Sequence, residues 1–126
     1  MSLLLDTHIL LWWLSDDPLL PATARAAISS PDNEVIVSAA VVWEIAIKKA
    51  VGRLEAPDDL LEVITANDFQ TLGITASHAL LAGGLPAYHS DPFDRVMIAQ
   101  ARAEHLTLVS VDERFPQYDV ELLPLC

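Results

Sequence analysis

A chain of 126 residues in which 52% of side chains are hydrophobic is one domain's worth of material, able to bury a core without covalent staples, and is not intrinsically disordered. Its 7 basic residues stand against 18 acidic ones, a net charge of −11 that repels phosphate at long range and argues against a broad basic nucleic-acid footprint or an anionic membrane surface as partner. The single cysteine, Cys126, excludes an internal disulfide and a cysteine-based zinc site. The opening MSLLLDTHILLWWL lacks a basic n-region and is interrupted by Asp6 and His8, so no signal peptide is expected. No apolar run approaches the ~20 residues of a membrane span. The expectation is a single domain over 1–126, in the cytoplasm and without a membrane partner.

In chain order, SLLL (2–5) is a short apolar run suited to a strand buried on both faces, ending at Asp6. HILLWWL (8–14) predicts a helix, Ser15–Pro18 a loop, and PATARAAIS (21–29) a helix with proline at its start. After the turn Ser30–Asn33, the β-branched EVIVS (34–38) predicts a second buried strand. AAVVWEIAIKKAV (39–51) predicts a helix, stopped by Gly52 and with Lys48 and Lys49 in its last turn. DDLLEVITAN (58–67) predicts another helix, FQTLGI (69–74) a strand, and Thr75 caps a helix through Ala82, which Gly83-Gly84 and Pro86 break. PFDRVMIAQARAEH (92–105) predicts a helix and LTLVSV (106–111) a strand that ends at Asp112. VELLPL (120–125) is expected as an edge strand, because Pro124 is tolerated only there. Alternating strands and helices predict an α/β fold: a three-layer sandwich around a central, mainly parallel sheet of 4–5 strands.

Most acidic residues fall in turns and helix starts, where solvation and capping explain them. Four are placed differently. Asp6 and Asp112 each follow a strand, at the sheet edge where open parallel sheets bind ligands. Glu44 lies inside a helix among apolar neighbours, with Ala40 and Lys48 on its face, and Asp94 lies in the first turn of its helix. Taken singly, each has a plain reading as cap, dipole partner, surface ion pair or turn acid. Brought to one sheet edge, four carboxylates repel one another unless a cation sits among them, and an oxygen-only donor set suits a hard ion, Mg²⁺ or Mn²⁺, in one or two copies.

The segments LLLDTHILLWWL, VSAAVVWEIAIKKAVGRL, HSDPFDRVMIAQA and TLVSVDERF resemble the four signature segments of PIN-domain ribonucleases, most closely the VapC-type toxins of bacterial toxin–antitoxin pairs. The resemblance runs from residue 3 to about residue 115, in order and in spacing. It implies that Asp6, Glu44, Asp94 and Asp112 form the acidic metal site. It matches Thr7 and Ser38 to the family's small hydroxyl residues. It implies metal-dependent endoribonuclease activity on RNA, toxin action, homodimerisation and inhibition by a cognate antitoxin. Within HSDPFDR, Asp94 opens the helical run and takes the metal role. Asp91 then caps that helix with Pro92 at its first position.

The basic residues Lys48, Lys49 and Arg53 serve either as helix-end dipole partners or as a small lip that touches RNA phosphates, with Lys48 the favoured contact. Arg95 either grips a phosphate, neutralises the quartet or forms a surface ion pair. Of the histidines, His78 and His105 read as structural, while His89 precedes the acidic segment and can approach the site. Trp12, Trp13 and Trp43 read as core or interface anchors rather than base-stacking platforms. Phosphatase or phosphoacceptor chemistry on a similar sheet is disfavoured, because His8 stands where a second acid is needed. The alternative of another class is a non-catalytic PIN-like protein-binding module with a structural cation site.

Overall fold

The computed structural model of the chain describes residues 1–125. Ser2–Leu5 forms β1, Thr7–Leu14 α1, Ala22–Ser29 α2, Glu34–Ser38 β2, Ala39–Ala50 α3 and Leu60–Ala66 α4; Gln70–Leu72 forms β3, Ala76–Gly84 α5, Pro92–Ala103 α6 and Thr107–Val109 β4. The four strands make one sheet in the order β3-β2-β1-β4, and every pairing is parallel. The chain steps outward from β1 to β3 through α1–α4, then returns through α5 and α6 to the other side of β1. Right-handed crossovers, nearly universal in parallel units, put the outgoing and returning helices on opposite faces of the sheet. The result is the three-layer α/β arrangement, and the strand order reverses between β1 and β4.

That topology follows from β1. Leu3, Leu4 and Leu5 are all fully buried, because a central strand covered on both faces needs apolar side chains in both directions. Val35, Ile36 and Val37 beside them, Leu108 and Val109 on β4, and Met97 and Ile98 of α6 complete the core. At the end of α3, Gly52 takes φ +73°, the left-handed stop in which a Cβ is strained.

Four elements differ from the sequence expectation, one of them the strand expected over 69–74, which is only Gln70–Leu72. The helix expected to end at Ala82 continues through Gly83 and Gly84; Leu85 N–H donates to Ala82 O, and Arg95 from α6 donates to the carbonyls of Ala82, Gly83 and Leu85, holding this end in place. It stops at Leu85, held extended by the following Pro86. The strand expected over 106–111 is only Thr107–Val109, so Asp112 stands three residues beyond it. The segment 120–125 is no strand: one parallel bridge joins Leu108 to Leu122, with Leu108 N–H donating to Glu121 O and Leu123 N–H to Leu108 O. Pro124 has no N–H with which to extend that ladder.

Candidate functional site

At the reversal of strand order, beyond the carboxyl ends of β1 and β4, lies a cleft of about 250 Å³. It is lined by Asp6, Thr7, His8, Glu44, Lys48, Asp91, Asp94, Val111, Asp112 and Arg114. A larger hollow of about 630 Å³, walled by Leu80, Leu81, Tyr88 and Tyr118, has no comparable gathering of acids. Chemistry rather than volume singles out the cleft.

Each carboxylate arrives on a different element. Asp6 leaves β1 and caps α1, its Oδ1 accepting from Ile9 N–H at 3.0 Å. Its backbone N–H donates to Val109 O at 3.1 Å, which ties it to the end of β4. Glu44 is 5% exposed in the middle of α3, and both its oxygens are engaged. Thr7 Oγ1 donates to Oε1 at 2.5 Å and Lys48 Nζ to Oε2 at 2.6 Å. Asp94 sits in the first turn of α6. Asp91 caps that helix, accepting from Phe93 N–H at 2.8 Å and Asp94 N–H at 3.1 Å, and also lines the cleft. Asp112 is gripped by Arg114, which donates from Nε to Oδ1 at 3.0 Å and from Nη2 to Oδ2 at 2.8 Å.

The electrostatics follow from those surroundings. Burial raises the Asp6 carboxyl above its ordinary value, against hydrogen bonds from the Ser110 hydroxyl and the Ile9 amide. Asp94 is pushed up to about 6, by burial first and by the nearby charge of Asp91 second, with His89 pulling the other way. Asp112 is held below the usual range, above all by the Arg114 hydrogen bond, and Arg114 is raised in return. Two carboxylates whose charged forms are penalised, in a cleft with further acids, are an arrangement that a bound cation relieves. The donors fit a divalent ion: carboxylate oxygens predominate, and one atom each from His89, Asp94 and Asp112 lie within 4.8 Å of one another.

The structure gathers Asp6, Thr7, Glu44, Lys48, Asp91, Asp94 and Asp112. Ser38 is not among them. It is fully buried, caps α3 through Ala40 N–H and donates to Gln100 Oε1 at 2.5 Å, which makes it a joint between α3 and α6. Lys49 is turned to Asp58, and Arg53 is exposed in the turn after α3. Arg95 is spent on backbone carbonyls of the segment 82–89. His89 does reach the site, its Nε2 lying 2.6 Å from Asp94 Oδ2. His78 is structural, in a capping box with Thr75 and paired with Glu104. Trp13 is anchored to Asn67, whereas Trp43 stays 59% exposed, edge-on to Phe93. Sequence reasoning missed Arg114, since an arginine two residues past a turn acid looks like any surface charge.

The PIN domain family model matches residues 3–121. Ribonuclease VapC22 of Mycobacterium tuberculosis is 33% identical over 116 residues, which cover 90% of this chain and 88% of that protein. Solved structures that share the fold include the following two. VapBC2 from Rickettsia felis, bound to a DNA fragment from their promoter, has TM-score 0.72 at 17% identity over 98% of each chain. A toxin–antitoxin complex from Klebsiella pneumoniae has TM-score 0.65 at 21% identity, covering 94% of this chain and 93% of that one. At those identities the structures speak for the fold; the family model and the relative reach further, and on them the chain belongs to the PIN-domain family, with the VapC ribonucleases among its relatives.

Proposed function

We propose that this protein is a metal-dependent endoribonuclease that acts as the toxin of a toxin–antitoxin pair. The observation that carries the reading is the convergence of Asp6, Glu44, Asp94 and Asp112 from four separate elements onto one cleft at the sheet's switch point. Asp6, Glu44, Asp94 and Asp112 would hold one or two Mg²⁺ or Mn²⁺ ions. A bound divalent ion supplies the Lewis acidity that phosphodiester hydrolysis needs.

The chain's own residues do the rest. Thr7 fixes the rotamer of Glu44, and Asp91 fixes the first turn of α6 and with it Asp94. Lys48 and Arg114 place positive charge at the cleft in an otherwise acidic protein. Five carboxylates line the cleft against these two cations, so phosphate would be drawn to it only with the divalent ion bound, which favours a narrow contact over a broad footprint.

The VapC22 relative is named a ribonuclease, and the solved neighbours include a toxin–antitoxin complex. Both support RNA as substrate and a cognate antitoxin as inhibitor, with homodimerisation and a cytoplasmic site of action as further parts of the reading. Among the described residues, no helix is long and apolar enough to cross a membrane.

The test is cleavage of cellular RNA by the purified chain with Mg²⁺ or Mn²⁺, with EDTA, and in the Asp6→Asn and Asp94→Asn variants. Cleavage that needs the ion and is lost in folded variants supports the reading. Ion binding without any cleavage would instead establish a binding module with a structural cation.

A further inference from the structure

The segment HSDPFDR folds around one imidazole. His89 is 4% exposed. Its backbone N–H donates to Tyr118 Oη at 2.9 Å, and Tyr118 Oη donates to Pro86 O at 2.8 Å. Its carbonyl accepts from Arg95 Nη1 at 3.1 Å. The ring packs against Phe115, with centroids 6.0 Å apart. With both sides of its backbone pinned and its ring enclosed, His89 cannot swing away without breaking several contacts.

The two ring nitrogens face different groups. Asp91 N–H donates to Nδ1 at 3.3 Å. Nε2 lies 2.6 Å from Asp94 Oδ2 and 3.7 Å from Asp112 Oδ2. A nitrogen that accepts from an amide carries no proton, so the hydrogen-bond network assigns the ring proton to Nε2, where it is donated to Asp94. A protonated Nε2 has no lone pair for a metal. His89, Asp94 and Asp112 are close enough to be read as three ligands, but this tautomer makes the imidazole a support for a ligand rather than a ligand. Asp91 holds both halves of the device: its carboxylate caps α6 beneath Asp94 while its amide orients the ring.

We propose that His89 is a positioning residue of the metal site, holding Asp94 Oδ2 through Nε2–H so that the other Asp94 oxygen is presented to the ion. This rests on the metal-site reading above. In a carboxylate site built from separate elements, a fixed rotamer at Asp94 removes an ordering cost that would otherwise be met on binding.

The experiment uses the whole chain. Long-range ¹H–¹⁵N correlation on the metal-free protein is expected to show a neutral imidazole protonated at Nε2. Calorimetric titration with Mn²⁺ is expected to show binding about 10-fold weaker or more in His89→Ala. His89→Gln, whose amide N–H extends toward the place of Nε2, should recover binding to within about 3-fold of wild type. Thermal unfolding in EDTA reports whether each variant is folded. Should His89→Ala fail to fold, the wild-type tautomer and pulsed EPR of the Mn²⁺-loaded wild type decide alone. A proton on Nδ1, a directly coordinated His89 nitrogen, or a folded His89→Ala with wild-type affinity overturns the proposal. A wild-type chain that binds no Mn²⁺ overturns the metal-site reading and this inference with it, an outcome distinct from a variant-specific null.

Discussion

Lys48 donates to Glu44 Oε2 at 2.6 Å, one turn along the same helix, so an ammonium sits on a carboxylate expected to face a divalent ion. Glu44 is buried while Lys48 remains about one-third exposed, which lets the lysine withdraw into water. Lys48 therefore competes with the metal and adds charge for phosphate. Lys48→Met is expected to tighten Mn²⁺ binding by roughly 3–5-fold, the equivalent of a partly exposed ion pair. The same change should weaken RNA binding and lower its salt slope by about 0.7, the share of one phosphate contact on a single strand. Calorimetry and binding titrations across salt check the two effects, and a metal affinity that falls would show Lys48 to be supporting the site rather than competing with it.

Asp6→Asn and Asp94→Asn are expected to lower cleavage by more than about 100-fold while leaving far-UV circular dichroism unchanged. Asparagine keeps the acceptor that caps Ile9, so α1 should survive the change at position 6. Unfolding of Asp6→Asn would instead show that the charge of Asp6 is structural. Full activity in either folded variant would remove it from the site.

The acids stood out in the sequence by position along an element, but each alone has a plain reading, and their common metal role is what the family resemblance implies. Asp6 closes an apolar run, and Glu44 interrupts an apolar helix face, each an oddity that periodicity exposes. Asp91 as cap with Pro92 at the first helical position was legible for the same reason, since the pattern is local. His89 was legible as a neighbour of the site from its place before the acidic segment, but not its contact with Asp112, 23 positions on; Arg114 was missed although its pairing with Asp112 is local, because nothing in the pattern marks it off from a surface charge. The length of α5 was hidden likewise. Two glycines read as a break, and the Arg95 contacts to Ala82 O and Leu85 O that hold this end come from eleven positions beyond Gly84.

That use of Arg95 gives a stability prediction. Its guanidinium donates to carbonyls of Ala82, Gly83, Leu85, Pro86 and His89, joining the end of α5 to the start of α6. Arg95→Ala is expected to destabilise the fold by about 2–4 kcal/mol, since several partly buried acceptors lose a charged donor together. Lysine should recover less than half, because one ammonium cannot match the planar fork. Urea unfolding measures both. A change below 0.5 kcal/mol (roughly the level of an ordinary surface substitution) with weakened RNA binding would return Arg95 to the phosphate-contact role.

The raised carboxyls predict how the metal-free protein responds to pH. Asp94 titrates near 6 in the folded chain against an ordinary value of 3.8, and Asp6 is raised in the same direction. Between the ordinary value and about 6 the folded state binds more protons than the unfolded state, so stability falls as pH rises through that range, with Asp6 adding in the same direction. The lowered carboxyls of Asp112 and Asp58 act in the opposite sense, but only below 3.8. In EDTA, the melting temperature should therefore be higher at pH 5 than at pH 7. Asp94→Asn should flatten that slope and stabilise the metal-free chain at pH 7, by removing a charge that burial penalises. Saturating Mn²⁺ should reverse the order in the wild type, since the ion binds the ionised carboxylates and protons displace it. Differential scanning calorimetry at the two pH values, with and without the ion, gives all four numbers. A metal-free chain more stable at pH 7 than at pH 5 would show that burial does not penalise these carboxylates, and would remove the electrostatic ground for a cation at this cleft.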